Sequence, residues 1–444
     1  MGGGGRVTTA VEHGVVPGIV RDVGLSAPLP HLAPHDDTGR RAAQAWLLVR
    51  LFTEPLGLLT LDLPDEGLPA TALADAIERE YGLGIRERIA RGGGDPAAPL
   101  VGGVRVPGVA PFLARRKEVL SDAPPITVVL CTRDRPDALA TCLDSLLAQQ
   151  YPSFRVLVVD NAPSDESSAQ VVRAAAERGP VDYLLAPVPG LSHARNAAVV
   201  ATPGEILAWI DDDEIADPHW LAEIARALAD HPMADVVSGV IVPAELETPA
   251  QVWFEQFGGH SKGRGFTRAV FSPATAKTQS PLYPLPPFGT GANMAFRPRV
   301  IERIGGFDTA LGAGTPAMGS EDTLAFTQVL RSGGTIVYQP TALVRHFHRR
   351  DLDGLRRQMV GYGTGLTAAY TALVRRNPLV LFPLVRLVPT ALRDVLGGGL
   401  RTATIREDFP RELLSANRRG MLRGPRAYFA GRRQDRQRIK SAQP

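Results

Sequence analysis

Three consecutive carboxylates, Asp211, Asp212 and Asp213, end an apolar run that begins at Ile206. The run predicts a short buried strand, and α/β proteins bind ligands at the carboxyl ends of such strands. In an extended chain Asp211 and Asp213 would share one side, with Asp212 on the other. Two like charges on one face are tolerated when a divalent cation lies between them, and carboxylate oxygens suit Mg²⁺ or Mn²⁺. A solvated surface turn would have the same composition.

Two further groups of residues late in the chain could also do chemistry. Glu321 and Asp322 begin a predicted helix that runs to about Arg331. Acids in a first turn usually complement the helix dipole, so their position alone does not indicate catalysis. His346 and His348 alternate, so an extended chain would place both on one face, where imidazoles can bind a metal or fill a structural role.

Composition limits the class of protein. The 444 residues are 44% hydrophobic and 21% charged, as in a soluble globular chain of about three domains. From Arg401 onward there are twelve Lys and Arg but only four Asp and Glu, so the rest of the chain is mildly acidic, which argues against a nucleic-acid-binding core.

With only Cys131 and Cys142, a reducing cytoplasmic setting is expected. The apolar stretch at 378–385 is too short to span a membrane.

Four regions are predicted along the chain. Residues 1–40 are rich in Gly, Pro and His and are expected to be disordered. Residues 41–105 are predicted to form a small ββα module, with a hairpin turn at 53–57 and a helix at 71–81. Residues 124–350 alternate strands and helices, which predicts a parallel, Rossmann-like α/β sheet. Residues 351–444 are predicted to form a helical, basic extension.

Six motifs occur in one order between residues 124 and 350. They are Thr-Val-Val-Leu-Cys-Thr-Arg-Asp-Arg-Pro at 127–136, Val-Leu-Val-Val-Asp-Asn at 156–161, Gly-Leu-Ser-His-Ala-Arg-Asn at 190–196, Asp-Asp-Asp at 211–213, Gly-Thr-Gly-Ala-Asn-Met-Ala-Phe-Arg at 289–297 and Ser-Glu-Asp-Thr at 320–323. Each motif alone is weak, but the ordered set is specific. Together they resemble the family 2 inverting glycosyltransferases of the GT-A fold.

The resemblance implies a fold class and a reaction. The fold would be a GT-A domain, which is the Rossmann-like fold of nucleotide-diphospho-sugar transferases, with the ββα module before it and the helical extension after it. The reaction would move a sugar from a nucleoside-diphosphate donor, UDP-linked in many members, to an acceptor hydroxyl with inversion. Mn²⁺ or Mg²⁺ would assist, and the acceptor would be a glycan, a lipid-linked molecule or a small molecule.

The resemblance also assigns roles to individual residues. Asp322 would be the general base, with Glu321 beside it. His346 is the first choice for a histidine that completes the metal shell, and His348 the second. Asp160 would bind the base of the nucleotide, although a cap on the following turn is the alternative. The Gly-rich turn at 289–293 fits either close approach of a sugar or a structural hairpin. The predicted metal ligands are Asp211, Asp213 and His346, and the predicted nucleotide-sugar contacts are Thr132, Arg133, Arg135, Asp160, Arg195, Asp211, Asp212, Gly291 and Asn293.

Other functions are weighed against this one. A non-catalytic protein that binds sugar nucleotides or glycans would be natural if Asp213 or Asp322 were missing, and both are present. A nucleotidyltransferase is disfavoured because no Gly-rich phosphate loop with a Lys follows the first strand, and a dehydrogenase because no G-x-G-x-x-G follows a strand. The basic extension would either contact an anionic membrane from the cytoplasmic side or remain a solvated tail.

Overall fold

The computed structural model describes residues 18–36, 38–275, 282, 288–395, 405 and 409–442. The strands are β1 (Gly18–Gly24), β2 (Gln44–Leu51), β3 (Glu54–Asp62), β4 (Ile126–Thr132), β5 (Phe154–Asn161), β6 (Val181–Ala186), β7 (Ile206–Asp211), β8 (Glu214–Ala216), β9 (Val236–Pro243), β10 (Ala269–Phe271), β11 (Asn293–Phe296) and β12 (Ile336–His346). The α-helices are α1 (Ala70–Arg91), α2 (Pro111–Leu120), α3 (Pro136–Leu147), α4 (Ser167–Ala176), α5 (Leu191–Ala201), α6 (Trp220–Asp230), α7 (Pro249–Gln256), α8 (Val300–Arg303), α9 (Glu321–Arg331), α10 (Leu352–Arg376), α11 (Leu381–Val395) and α12 (Arg411–Ala442).

The amino-terminal module is a three-stranded sheet. The predicted hairpin is present as antiparallel β2 and β3, while β1 runs parallel to β2. The prediction of disorder for residues 1–40 is therefore wrong over β1, where Ile19 and Val23 reach a core shared with α1. Residues 1–17 lie outside the described part of the chain. The module contacts the larger sheet through an ion pair of 2.6 Å between Arg50 and Asp217.

The larger sheet has nine strands. Its order is β10-β12-β9-β11-β7-β4-β5-β6, with β8 paired to β12. The four strands β7, β4, β5 and β6 are parallel, and β11 runs antiparallel between β7 and β9. The predicted α/β, Rossmann-like class is confirmed by this sheet, and a helical carboxyl-terminal region follows it. The domain boundaries at 41–105, 124–350 and 351–444 stay a prediction.

Strand register brings the predicted site residues to one edge of the sheet. Thr132 at the end of β4 pairs with Asp160 on β5, and Cys131 pairs with Asp211 at the end of β7. β8 pairs antiparallel with the end of β12, where Glu214 lies opposite His346. The carboxyl ends of β4, β5, β7 and β12 therefore deliver the acids and the histidine to neighbouring positions.

The carboxyl-terminal helices belong to the folded structure. Helix α12 packs along α10, where glycines on both helices allow close approach of the backbones. Its far end reaches the first turn of α5 and the loop between α8 and α9: Asp435 lies 2.6 Å from His193, and Arg438 donates to the carbonyl of Gly314 at 3.0 Å. The alternative of a solvated basic tail is thus wrong for residues 411–442, because small residues let this basic helix dock.

We expect the close contact of α10 and α12 to make stability sensitive at Gly363. A Cβ there would overlap the carbonyl oxygen of Asn417, so Gly363→Ala should lower the free energy of unfolding by about 1–3 kcal/mol. The control is Gly84→Ala in α1, where the nearest group is the movable end of Arg88 at 3.3 Å and a gain of roughly 0.5–1 kcal/mol is expected. Denaturant unfolding measures both, and equal changes would contradict the packing argument.

Candidate active site

A cavity of about 300 Å³ opens at the carboxyl edge of the large sheet. Its lining combines acids, histidine and cations from distant parts of the sequence, and apolar side chains from the carboxyl-terminal helices. The polar lining includes Asp211, Asp213, His260, Lys262, Glu321, Asp322, His346 and Arg349, and the apolar lining includes Phe257, Met318, Tyr362, Leu366 and Met421.

The three-acid cluster is a strand end followed by a turn. β7 ends at Asp211, and Asp212 and Asp213 turn the chain into β8, so the extended geometry considered from the sequence does not continue. The reason is that β8 pairs with β12. Asp211 and Asp213 nevertheless line the same cavity, as the alternation argument predicts. Asp213 Oδ1 lies 3.4 Å from His346 Nε2, and Arg135 Nη2 donates to Asp213 Oδ2 at 2.9 Å.

The surroundings of these two acids move their pKa values apart. Burial acts to raise the pKa of Asp213, but His346 when protonated, together with Arg135, outweighs burial, so the pKa lies below its usual value. Burial raises the pKa of Asp211, with Arg195 opposing. Asp213 is therefore held as a carboxylate by the protein itself, whereas Asp211 would gain most from a bound cation.

Asp212 lies outside the lining of the cavity and has partners within the chain. Thr132 Oγ1 donates to it at 2.8 Å, and Arg135 forms an ion pair with it. Burial raises the pKa of Asp212 to about 7, with Arg135 opposing. These contacts occupy the polar groups of Thr132 and Asp212, so the structure favours a role for both in shaping the acid turn over the predicted contact with the nucleotide sugar.

Arg195 lies beneath the cavity and joins three segments. It is 1% exposed, and it donates to Glu321 Oε1 at 2.8 Å, to the carbonyl of Gly291 at 3.1 Å and to Asp211 at 3.4 Å. Burial raises the pKa of Glu321, and Arg195 opposes that shift. The structure favours this internal role of Arg195 over the predicted contact with a diphosphate, because the buried carboxylate of Glu321 and the partly exposed carboxylate of Asp211 both gain from a counter-charge.

Asp322 is fixed at the start of α9 by two backbone groups. The N–H of Gly291 donates to Asp322 Oδ2 and that of Thr323 to Oδ1, both at 2.6 Å. Each carboxylate oxygen retains further lone-pair capacity, and the side chain lines the cavity. A Cβ at Gly291 would lie 2.8 Å from Arg195 Nη1. The group that approaches this glycine closely is therefore the guanidinium of Arg195, where the sequence predicted a sugar.

The predicted sugar contact of Asn293 is wrong. Asn293 is 1% exposed, its amide donates to the carbonyls of Val240 and Ala342, and Trp220 Nε1 donates to its Oδ1 at 2.9 Å. The side chain therefore ties β11 to its neighbours. The Gly-rich turn at 289–293 was expected either to approach a sugar closely or to have a structural role, and at Asn293 the role is structural.

Asp160 is buried with one oxygen unused. Tyr183 Oη donates to its Oδ2 at 3.0 Å, while Oδ1 has no partner among the described residues. Burial raises the pKa of Asp160. A buried acceptor without a donor is costly unless a ligand supplies the donor, which favours binding over the capping alternative.

Arg133 is half-exposed and pairs with Asp134 at 3.5 Å, outside the cavity lining.

The histidines form a cluster that the sequence only partly predicts. His346 Nδ1 lies 2.8 Å from His348 Nδ1, as their alternation predicts, and the ring of His260 lies 4.3 Å from that of His346. Sequence reasoning missed His260 and Lys262, which a loop rich in left-handed glycines carries into the cavity. The segment Gly-Gly-His-Ser-Lys-Gly at 258–263 could have indicated them, because it places a histidine and a lysine in a glycine-rich loop.

Comparison with known proteins identifies the family. The sequence model of the family described as "Glycosyl transferase family 2" matches residues 127–305. This match and the curated glycosyltransferase relatives support assignment to glycosyl transferase family 2. This match contains the strands β4, β5 and β7 and the acid turn, while Asp322 and His346 lie beyond it.

Two curated relatives show how far this transferase resembles known proteins. It is 23% identical over 233 residues to the glucosyl-dolichyl phosphate glucuronosyltransferase of Haloferax volcanii, covering 50% of the chain and 68% of the relative. It is 30% identical over 225 residues to the succinoglycan biosynthesis protein ExoM of Rhizobium meliloti, covering 49% and 65%. The aligned part is thus about two thirds of each relative. A solved structure, the mannosyltransferase PcManGT from Pyrobaculum calidifontis with GDP-Man and Mn²⁺, has a TM-score of 0.43 and 20% identity, covering 75% of this chain and 83% of that one.

We expect the pair of Arg195 and Glu321 to dominate the stability of this transferase site. Arg195→Met should lower the free energy of unfolding by about 3–5 kcal/mol, because it leaves the buried carboxylate of Glu321 without a counter-charge. Adding Glu321→Met should recover part of that loss. The control is Arg91→Met, which removes an exposed ion pair with Glu87 and should cost no more than about 1 kcal/mol. Denaturant unfolding of Arg195→Met, Glu321→Met, the double variant and the control tests this. If the losses of the two single variants add up in the double variant, the coupling is contradicted.

Proposed function

We propose that this transferase moves a sugar from a nucleoside-diphosphate sugar to an acceptor hydroxyl by a single inverting displacement assisted by a divalent cation. The observation that carries the proposal is one cavity lined by Asp211, Asp213, Asp322 and His346. The donor is proposed to be UDP-linked on the resemblance alone.

The residues at the acid turn fit a divalent cation. Asp213 Oδ1 and His346 Nε2 lie 3.4 Å apart, close to the roughly 3 Å between neighbouring ligand atoms of an octahedral ion with bonds of about 2.1 Å. Carboxylate oxygens and an imidazole are a ligand set for Mn²⁺, and Mg²⁺ would accept the carboxylates. We propose Asp213 and His346 as ligands, with Asp211 as a ligand to the cation or a contact to the ribose. When bound, the cation would stabilise the charge of the leaving diphosphate.

Several residues are proposed to hold the donor. Asp160 would accept an N–H from the base at its unpartnered Oδ1. Arg349 is exposed, lies 3.7 Å from Asp213 and lines the cavity, so its guanidinium can reach phosphate oxygens. Arg133, which is half-exposed, remains a proposed contact to the nucleotide.

Asp322 is proposed to take the proton from the acceptor hydroxyl as that oxygen attacks the anomeric carbon. Inversion in one step needs a single base on the face opposite the leaving group. The two backbone N–H groups that bind Asp322 fix its position without occupying all of its lone pairs. Glu321 is not proposed as an equal candidate, because its carboxylate pairs with Arg195.

The acceptor is proposed to enter from the side of the carboxyl-terminal helices. That part of the cavity is lined by Phe257, Met318, Tyr362, Leu366 and Met421, which offer aromatic and apolar surface near Asp322. Such surface binds the faces of sugar rings or an apolar group. Both a glycan and a lipid-linked acceptor are compatible with this lining.

We expect Asp322→Asn to lower turnover by about 10²- to 10⁴-fold, the usual contribution of a positioned base, with affinity for UDP nearly unchanged. Turnover of a UDP-sugar and calorimetric UDP affinity measure the two effects, and NMR of the product gives its anomeric configuration. Glu321→Gln, which affects the pair with Arg195, should be milder. Near-normal turnover of Asp322→Asn would reassign the base, and a retained configuration would overturn the single displacement.

A peripheral membrane contact is proposed for α11 and not for the basic helix α12. None of the helices in the described ranges combines the length and apolar composition that crossing a bilayer requires. Leu384 and Leu387 of α11 pack against the protein, whereas Phe382 and Val385 are 70% and 58% exposed. Exposed Arg386 is among the basic residues beside this apolar stripe, so the surface complements an anionic bilayer. The cytoplasmic location of the protein stays a prediction.

We expect the double variant Phe382→Ser, Val385→Ser to bind vesicles that contain anionic lipid more weakly, because two of the exposed apolar side chains of α11 are removed. The control is Leu83→Ser, which removes an 89% exposed apolar side chain from α1. Sedimentation with vesicles at low and high salt measures binding. Failure of the unaltered chain to sediment, or equal losses in both variants, would contradict the proposal.

A further inference from the structure

The hydrogen-bond chain behind the cavity runs through three side chains. His346 at the end of β12 faces Asp213 with Nε2 and His348 with Nδ1, the latter at 2.8 Å. His348 in turn places Nε2 2.7 Å from Glu255 Oε1 at the end of α7. His348 and Glu255 are not among the residues that line the cavity, and the proposed reaction does not use them.

The protons in this chain can be assigned from the acceptors. A carboxylate accepts hydrogen bonds and does not donate, so the Nε2 of His348 carries a proton that Glu255 accepts. A neutral His348 then has its lone pair on Nδ1. The facing Nδ1 of His346 must therefore be the donor, which leaves the lone pair of a neutral His346 on Nε2.

The opposite assignment is disfavoured by the geometry. If the Nε2–H of His346 donated to Asp213, two nitrogen lone pairs would face each other at 2.8 Å, or one buried ring would carry a charge. The 3.4 Å between His346 Nε2 and Asp213 Oδ1 is also longer than a usual N–H···O hydrogen bond of about 2.7–3.2 Å. A lone pair and a carboxylate oxygen directed at the same space are the arrangement that a cation requires.

We propose that His348 and Glu255 are positioning residues that hold His346 in the tautomer able to bind a cation. The inference rests on the metal site of the proposed function and adds two residues to it. Metal-binding histidines usually donate their second ring N–H to an acceptor that fixes the ring, and here a second imidazole, itself fixed by a carboxylate, is that acceptor. The effect of both residues on the reaction is through His346.

A competing arrangement uses the same rings differently. His260, His346 and His348 offer ring nitrogens within 4.8 Å of one another, and His260 Nε2 has no partner among the described residues. In that case His348 would bind a cation directly through Nδ1. The two arrangements differ in what they require of His348, because a positioning residue needs only an acceptor at Nδ1, whereas a ligand needs the imidazole nitrogen.

The test is the affinity of the full chain for Mn²⁺ alone, measured by electron paramagnetic resonance of the free ion. His348→Phe keeps an aromatic ring beside Phe254 but removes the acceptor, and should lower the affinity by about 10- to 100-fold. His348→Asn keeps an acceptor oxygen near the position of Nδ1 and should bind Mn²⁺ much as the unaltered chain does. Glu255→Ala should weaken binding in the same direction as His348→Phe, and thermal unfolding checks that each variant is folded.

The outcomes separate this inference from the proposed function. Unchanged affinity in folded His348→Phe, or equal losses in His348→Phe and His348→Asn, would overturn the positioning role. The ¹⁵N shifts of labelled histidines in the metal-free chain report the tautomers independently of Mn²⁺. Protonated Nδ1 in His346 and protonated Nε2 in His348 are expected, and the reverse assignment would also overturn the inference. The expected tautomers in an unaltered chain that binds no Mn²⁺ would instead overturn the metal in the proposed function.

Discussion

The concentration of negative charge at one edge of the large sheet is the constraint on which the rest of the site depends. Asp211, Asp213, Glu321 and Asp322 line one cavity, and the basic side chains of Arg195 and Arg135 contact these acids from beneath the cavity or beside it. Buried carboxylates are costly unless they are paired or coordinate a cation. Arg195 pairs with Glu321 below the cavity, Arg135 braces the acid turn, and a divalent cation between Asp213 and His346 would balance the remaining charge.

Chain topology explains why these groups meet. Arg195 is on α5, its partner Glu321 begins α9, and Gly291 lies between β10 and β11, so one guanidinium connects three segments that are far apart in sequence. The pairing of β8 with β12 sets His346 beside Asp213. The carboxyl-terminal helices then close the acceptor side, since α10 and α12 supply apolar lining and α12 holds the loop that contains Gly314.

The sequence predicts the parallel half of the sheet well because local signals suffice there. Apolar runs that end in polar residues, as at Thr132, Asp160 and Asp211, correspond to strands β4, β5 and β7. It predicts less of what depends on distant contacts. Nothing local distinguishes Asn293, which ties strands together, from a ligand contact, and nothing local shows that Arg195 would be buried against Glu321. The segment of β1 was missed because its pattern has meaning only beside β2.

For the basic carboxyl-terminal region, too, the sequence alone does not predict contacts between distant residues. Composition describes residues 411–442 as a cationic tail, but the glycines at 420, 424 and 431 are spaced along a helix face and let α12 approach its neighbours closely. Charge is therefore carried on the outer side of a docked helix, and exposed apolar side chains occur on both α11 and α12, with Phe382 and Val385 on the former and Leu422 and Phe429 on the latter. Side-chain size, which sets how close two helices approach, decides the arrangement where net charge does not.

The central claim is that the acids at the sheet edge bind a nucleoside diphosphate through a divalent cation. The most direct measurement is the thermal unfolding of the full chain with UDP, with Mn²⁺ and with both. A ligand that binds only the folded state at about 100 times its dissociation constant adds roughly 2.7 kcal/mol of stability. UDP and Mn²⁺ together should raise the Tm by more than the sum of their separate effects, and a chelator should abolish the excess. An increase in Tm with UDP that is the same in the presence of the chelator would contradict the central claim.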